Sequence, residues 1–153
     1  MPRDLSYDWT YNQLNFNKIY ILPSGTYFIG DIFYVIGESL TKDIYNKAAY
    51  ESGYYKSKNA CFLVGDTSSN DYYYIGSDKK KYMVDNGIIG IISANLICDP
   101  DTSGGQIYTF ENEVAVKINN GVFKFSSYLN NNEYFQLIIN TISNNESESV
   151  DSE

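Results

Sequence analysis

From Glu113 to Ser126 the chain alternates apolar and polar residues, entering Asn120-Gly121 through Val-Ala-Val-Lys-Ile-Asn and leaving it through Val-Phe-Lys-Phe-Ser. Asn-Gly readily supplies the two left-handed residues of a type I′ turn, whose twist matches that of the strands it joins. A two-residue loop here pairs Ile118 with Phe123 and Val116 with Phe125 on one face. The same register sets Lys117 opposite Lys124 on the other face, which must then be solvated or lie near an acid such as Glu111. A second Asn-Gly, at Asn86-Gly87, predicts another hairpin, pairing Val84 with Ile89 and Tyr82 with Ile91.

Other β-branched and aromatic runs fit the same reading. Lys18 to Leu22 is stopped by Pro23-Ser24-Gly25, and Thr26 to Ile36 follows with Gly30 as a bulge or bend. Ala60 to Val64, Tyr72 to Ile75 and Gln106 to Phe110 are further strands, with a polar turn over Gly65 to Asp71. Tyr134 to Ile142 suits either period, and its three isoleucines favour a strand. One helix is predicted near 39–52, capped by Ser39, with Leu40, Ile44 and Ala48 at four-residue spacing and Gly53 to end it. The fold class is therefore mainly β with a minor helical part: an antiparallel sandwich or partly open barrel of roughly eight to ten short strands and one helix. Residues 1–17 read as a partly ordered arm, 18–142 as a single β-rich domain and 143–153 as a disordered acidic tail.

What the chain lacks limits its chemistry. It contains no histidine, the side chain that exchanges protons near neutral pH, so Ser-His-Asp and Cys-His nucleophiles are excluded, as are His-containing zinc and non-haem iron sites. Cys61 and Cys98 cannot make a four-thiolate site, and both sit in apolar settings where a thiol is expected to act as a small buried hydrophobe. The net charge is −8, with one arginine among 11 basic residues. A chain of that balance has little means of displacing phosphate counterions, so neither nucleic acid nor an anionic membrane is an expected partner. With no apolar leader and no apolar run long enough to span a bilayer, it reads as soluble and intracellular at synthesis.

An enzyme built from these residues would rely on carboxylates, tyrosines, lysines or a thiol. The candidates beside glycine are Asp31 in Ile-Gly-Asp-Ile, Asp66 in Val-Gly-Asp-Thr and Asp85 in Val-Asp-Asn-Gly. Asp66 and Asp85 read first as turn residues that bond nearby amides. Asp31 lies between apolar runs and is expected to point to solvent from the polar face of a strand, burial being the alternative. Asp66 to Asp71 loosely resembles the start of a calcium loop but lacks its central glycine and closing glutamate, so a hydrated turn is the simpler reading. Lys79-Lys80-Lys81 reads as a solvated hairpin tip. No catalytic residue, metal site or cofactor is implied.

Three elements carry a resemblance: Gly30-Asp31 with Tyr34; Val84-Asp85 with Gly87 and Gly90; and Gly104-Gly105 with Phe110. Over about residues 19–125 the chain resembles a group of small uncharacterised β-rich proteins of large DNA viruses (giant amoebal viruses), phages and some bacteria, which share Gly-Asp-x-x-Tyr, Val-Asp-x-Gly-x-x-Gly and Gly-Gly-x-x-x-x-Phe elements. Those relatives tend to carry a Gly-Asp-Gly-x-Tyr turn where this chain has Gly65-Asp66-Thr67 and a different spacing to Tyr72. Lysine outnumbers arginine ten to one, as AT-rich codons would produce. The resemblance implies no known activity and places the protein in a host cytoplasm or a virion. Two functions follow: a non-enzymatic interaction or accessory module whose tyrosines contact a protein partner, or a carboxylate-dependent hydrolase or metal-assisted enzyme using Asp31, Asp66 and Asp85.

Overall fold

The structure, a computed structural model, describes residues 10–16, 18–36, 53–56, 60–67, 73–84, 87–98 and 104–142. The predicted helix near 39–52, Asp85 and the acidic tail lie outside these residues. Among the described residues there are twelve strands: β1 (Thr10–Asn12), β2 (Tyr20–Leu22), β3 (Gly25–Gly30), β4 (Gly53–Lys56), β5 (Cys61–Asp66), β6 (Tyr73–Ile75), β7 (Lys81–Met83), β8 (Ile88–Ser93), β9 (Gly105–Phe110), β10 (Val114–Asn119), β11 (Val122–Tyr128) and β12 (Tyr134–Asn140). They form a six-stranded sheet in the order β1-β4-β5-β8-β3-β9, a four-stranded sheet β12-β11-β10-β2, and the β6-β7 ribbon. All pairings are antiparallel, and the two large sheets pack as a sandwich. β1 draws part of the stretch read as an arm into the larger sheet.

The Asn120-Gly121 hairpin forms in the predicted register, with Ile118 opposite Phe123, Val116 opposite Phe125 and Lys117 opposite Lys124. Asn120 and Gly121 both take positive φ, 50° and 97°, as a type I′ turn requires. The apolar members of these pairs are buried, whereas Lys124 is exposed. Tyr134 to Asn140 is a strand, alternating exposed and buried residues.

The main core lies between the large sheets. Ile29 and Tyr27 of β3, Leu63 and Cys61 of β5, and Ile89 and Ile91 of β8 meet Val116, Ile118, Phe123, Phe125, Leu137 and Ile139 of the smaller sheet. Fully burying each large apolar side chain contributes about 1.5–3 kcal/mol. Gly65 sets the spacing here, because a methyl in its place would lie 2.7 Å from Ile118 Cγ2 and 3.1 Å from Phe123 Cε2. A second core occupies the other face of the six-stranded sheet, where Phe28, Phe62, Val64, Ile88 and Ile92 pack with Ile32, Val35 and Leu96. β8 is thus apolar on both faces, as a central strand flanked by β5 and β3 should be.

That position explains why the second predicted hairpin does not form. β7 pairs with β6 through a turn over 76–80, setting Tyr82 opposite Tyr74, while Ile89 and Ile91 pair with β3 and β5. A strand buried on both faces gains more from two apolar neighbours than from the half-polar Lys-Tyr-Met of β7. The Gly87 carbonyl instead accepts from the Thr67 amide at 2.9 Å. The run over Thr26 to Ile36 breaks at Gly30, the position of the expected bulge or bend: β3 ends there, and residues 32–34 form a 3-10 turn instead of further strand.

Candidate binding cleft

Gly30, Gly90 and Gly105 lie side by side across β3, β8 and β9. Their lack of a side chain lets the backbones close up: a methyl on Gly105 would lie 2.8 Å from the Ile29 carbonyl carbon and 2.9 Å from Gly30 Cα. The Tyr34 ring lies over Gly104, whose added methyl would sit 2.8 Å from Tyr34 Cγ. Gly30, Asp31, Tyr34, Gly90, Gly104 and Gly105, drawn from the three motifs separated in sequence, therefore meet at one place.

Asp31 sits at the end of this glycine row and is wholly buried, contrary to the expected solvent-facing position. Extended conformation ends at Gly30, so strand alternation no longer decides where Asp31 points. Its carboxylate accepts from the Phe33 amide at 3.1 Å, capping the 3-10 turn. Its own amide donates to the Gly104 carbonyl at 3.2 Å, and its carbonyl accepts from the Tyr34 amide at 3.1 Å. Asp66 ends β5 opposite Ile88 and is exposed. Asp31 is thus a buried turn cap and Asp66 an exposed strand end. Among the described residues no three His, Cys, Asp or Glu side chains gather as metal ligands, and no helix is long and apolar enough to cross a membrane.

The sheet register builds a different site. Across the six-stranded sheet, Tyr108 stands opposite Tyr27, Tyr27 opposite Ser93, and Cys61 opposite Lys56. Ser93 joins the two halves: its hydroxyl donates to the Cys61 carbonyl at 3.0 Å and accepts from the Cys61 amide at 3.1 Å. Tyr27 and Cys61, both buried, form with Ser93 the floor of a cleft of about 580 Å³ at the open end of the sandwich, lined also by Tyr54, Glu113 and the exposed Lys56. That volume falls within the ~300–1,000 Å³ of ligand-binding pockets.

The electrostatics of this floor are those of neutral donors. Burial pushes the Cys61 thiol up, outweighing its side-chain contacts with the Ser93 and Tyr27 hydroxyls and the charge of Lys56, which act the other way. Burial, followed by the neighbouring Cys61 sulfur, raises Tyr27 well above the ordinary phenol range. Its hydroxyl donates to the Pro23 carbonyl at 2.6 Å. Tyr54 is raised for the same first reason, with Cys61 and Tyr20 adding to it, and its ring meets Tyr20 edge-on at 5.3 Å. At neutral pH these groups carry their protons and offer no thiolate or phenolate.

Sequence reasoning missed this constellation, although a signal existed. Ser93 continues the inward set Ile89 and Ile91, and Lys56 that of Tyr54: polar residues at inward-facing positions where strands run out of core. Cys98, by contrast, is exposed rather than buried as expected, because the 3-10 turn over 94–96 redirects the chain and the Cys98 amide bonds the Val35 carbonyl at 2.8 Å. No protein family, curated protein or solved structure matches the chain.

Proposed function

We propose that this chain is a non-enzymatic β-sandwich module that seats an extended segment of a protein partner in the cleft at the open end of the sandwich. The observation that carries the reading is the lining of that cleft, where the Tyr27 and Tyr54 side chains stand beside Cys61 and Ser93; burial keeps the phenols and the thiol protonated, so it presents contact surface rather than a nucleophile or a base. Tyrosine rings supply broad contact area with a polar tip. Lys56 and Glu113 set opposite charges on the rim, suited to a polypeptide with both donors and acceptors. The motif resemblance and the excess of lysine over arginine support a viral source, with the protein acting in the host cytoplasm or carried in the virion.

The test compares the intact protein with a Tyr54→Ala/Lys56→Glu variant as bait in extracts of infected cells, followed by cross-linking and mass spectrometry. A partner cross-linked at the cleft rim by the parent and lost with the variant, whose circular dichroism still shows the folded protein, is the expected result. Equal recovery by both baits, or cross-links confined to other faces, would refute the reading.

A further inference from the structure

β12 is an edge strand of the four-stranded sheet, and its composition is unusual for that position. Edge strands are ordinarily protected against pairing by lysine, proline or a bulge. Tyr134-Phe-Gln-Leu-Ile-Ile-Asn140 carries no charge and no proline, and it pairs with β11 residue for residue from Tyr128↔Tyr134 to Val122↔Asn140, without a bulge. Tyr134 and Gln136 are exposed.

Backbone directions along this edge follow from one local contact. The Ile138 carbonyl accepts from the Ser77 amide at 2.9 Å, and the Ile138 amide donates to Ser77 Oγ at 2.8 Å. Ile138 therefore points its backbone groups away from β11, and by alternation so do Gln136 and Tyr134. Ser77 closes the edge at Ile138. At the other end the chain turns away over 129–133, where the Leu129 amide donates to the Glu133 carbonyl and the Asn132 amide to the Leu129 carbonyl, both at 2.9 Å. Among the described residues an open window is left at Tyr134 to Gln136.

We infer that this window is a self-association surface, taking β12 of a second copy of the chain in antiparallel register about a two-fold axis at Phe135. In that register Tyr134 exchanges its backbone N–H and C=O with the second copy's Gln136, and Gln136 with the second copy's Tyr134. The limits of the window argue for this occupant. A longer peptide strand laid along the edge would run into Ser77 at Ile138, whereas β12 of a second copy turns away after Glu133, just before the point that Ser77 blocks. Charge agrees: each 129–133 turn carries the exposed acid Glu133, and each Ser77 loop carries the exposed Lys79 and Lys80, so the two-fold brings the turn of one copy to the lysines of the other. The uncharged strand itself adds no repulsion, although the whole chain carries −8.

Sedimentation velocity on the full chain over a concentration series tests this inference. A monomer–dimer equilibrium is expected. Gln136→Pro removes an outward amide, at an edge position that tolerates proline, and should give monomers at every concentration with circular dichroism unchanged. Glu133→Lys should weaken the dimer, and combining it with Lys79→Glu/Lys80→Glu should restore it. A parent that stays monomeric throughout, or a Gln136→Pro variant that dimerises like the parent, would overturn the inference. The charge swap provides the check if the proline variant fails to fold.

Discussion

Replacing Gly90 with alanine isolates the steric role of the glycine row. Gly90 needs no left-handed backbone, so any L-residue can take its conformation, and in an open strand the change would stabilise by about 0.4–1 kcal/mol through the unfolded chain. In the structure the added methyl runs into the Leu63 carbonyl oxygen and lies 3.2 Å from Val64 Cα and Val64 Cγ2. The obstacle is backbone, and it belongs to β5, which is fixed on its far side by β4. Overpacking of this kind costs typically 1–3 kcal/mol, and backbone that cannot shift places Gly90→Ala at the upper end, about 3 kcal/mol. At roughly 2–4 °C per kcal/mol for a chain of this size, the melting temperature should fall by about 6–12 °C. Gly105→Ala meets backbone as closely, but edge strand β9 can move outward, so its cost should be smaller, about 1–2 kcal/mol. Gly25→Ala has no atom within 4 Å but a φ of 148°, and should cost about 1 kcal/mol from strain alone. Urea unfolding of the three variants gives the order directly. A Gly90→Ala protein within about 0.5 kcal/mol of the parent, the spread of an ordinary surface substitution, would refute the packing argument.

Asp78 accepts from the Tyr82 hydroxyl at 2.6 Å and the Tyr108 hydroxyl at 3.1 Å, tying the β6-β7 turn to β9. Asp78→Ala leaves both hydroxyls without that acceptor and should cost about 1–3 kcal/mol in chemical denaturation. Burial, then the hydrogen bond to Asp78, holds Tyr82 far above the ordinary phenol range, and burial takes Tyr108 up to about 12. A folded pKa raised above the unfolded value of about 10 leaves stability intact below pH 10 and removes it as pH rises toward 12. Alkaline unfolding should therefore track phenolate absorbance in that window, and a melting temperature constant from pH 9 to 12 would contradict it. With Cys61 buried and Cys98 exposed, a thiol reagent should label Cys98 quickly in the native protein and Cys61 only on unfolding, as peptide mapping would show.

Whatever was encoded locally was readable before the fold was known. The Asn120-Gly121 turn fixes its own register, because a two-residue loop leaves no freedom and a one-residue slip would turn Phe123 and Phe125 to solvent. Asn86-Gly87 carried the same dipeptide and misled, because the outcome there depends on which sheet claims Ile88 to Ile92, a decision made by β3 and β5 at a distance. Asp31 shows a second limit: strand alternation predicts a side chain's direction only while the strand lasts, and this one stops at Gly30. The cleft lining was the least legible. Tyr27, Ser93, Cys61 and Lys56 come from four strands, and only the sheet order β4-β5-β8-β3 makes them neighbours.

The three glycine-bearing motifs take on a definite meaning from this geometry. In sequence, Gly-Asp-x-x-Tyr, Val-Asp-x-Gly-x-x-Gly and Gly-Gly-x-x-x-x-Phe look like fragments of a site, since glycine beside aspartate so often marks a backbone that approaches a ligand. In space the approaching partner is the protein itself: Gly30 against Gly105 and Gly90 against β5, with Tyr34 over Gly104, Asp31 capping the turn that brings Tyr34 there and Phe110 in the main core. Each of these described residues has an internal contact that accounts for its identity. The motif set thus specifies how three strands close up; of the cleft residues, none of them a motif residue, Tyr27 and Cys61 also belong to the main core, while the exposed Lys56 and Glu113 are free to vary without disturbing that closure. Exchanging the exposed cleft residues Lys56 and Glu113 should therefore alter which partner is bound at constant stability, whereas exchanging motif residues should lower stability before it alters binding.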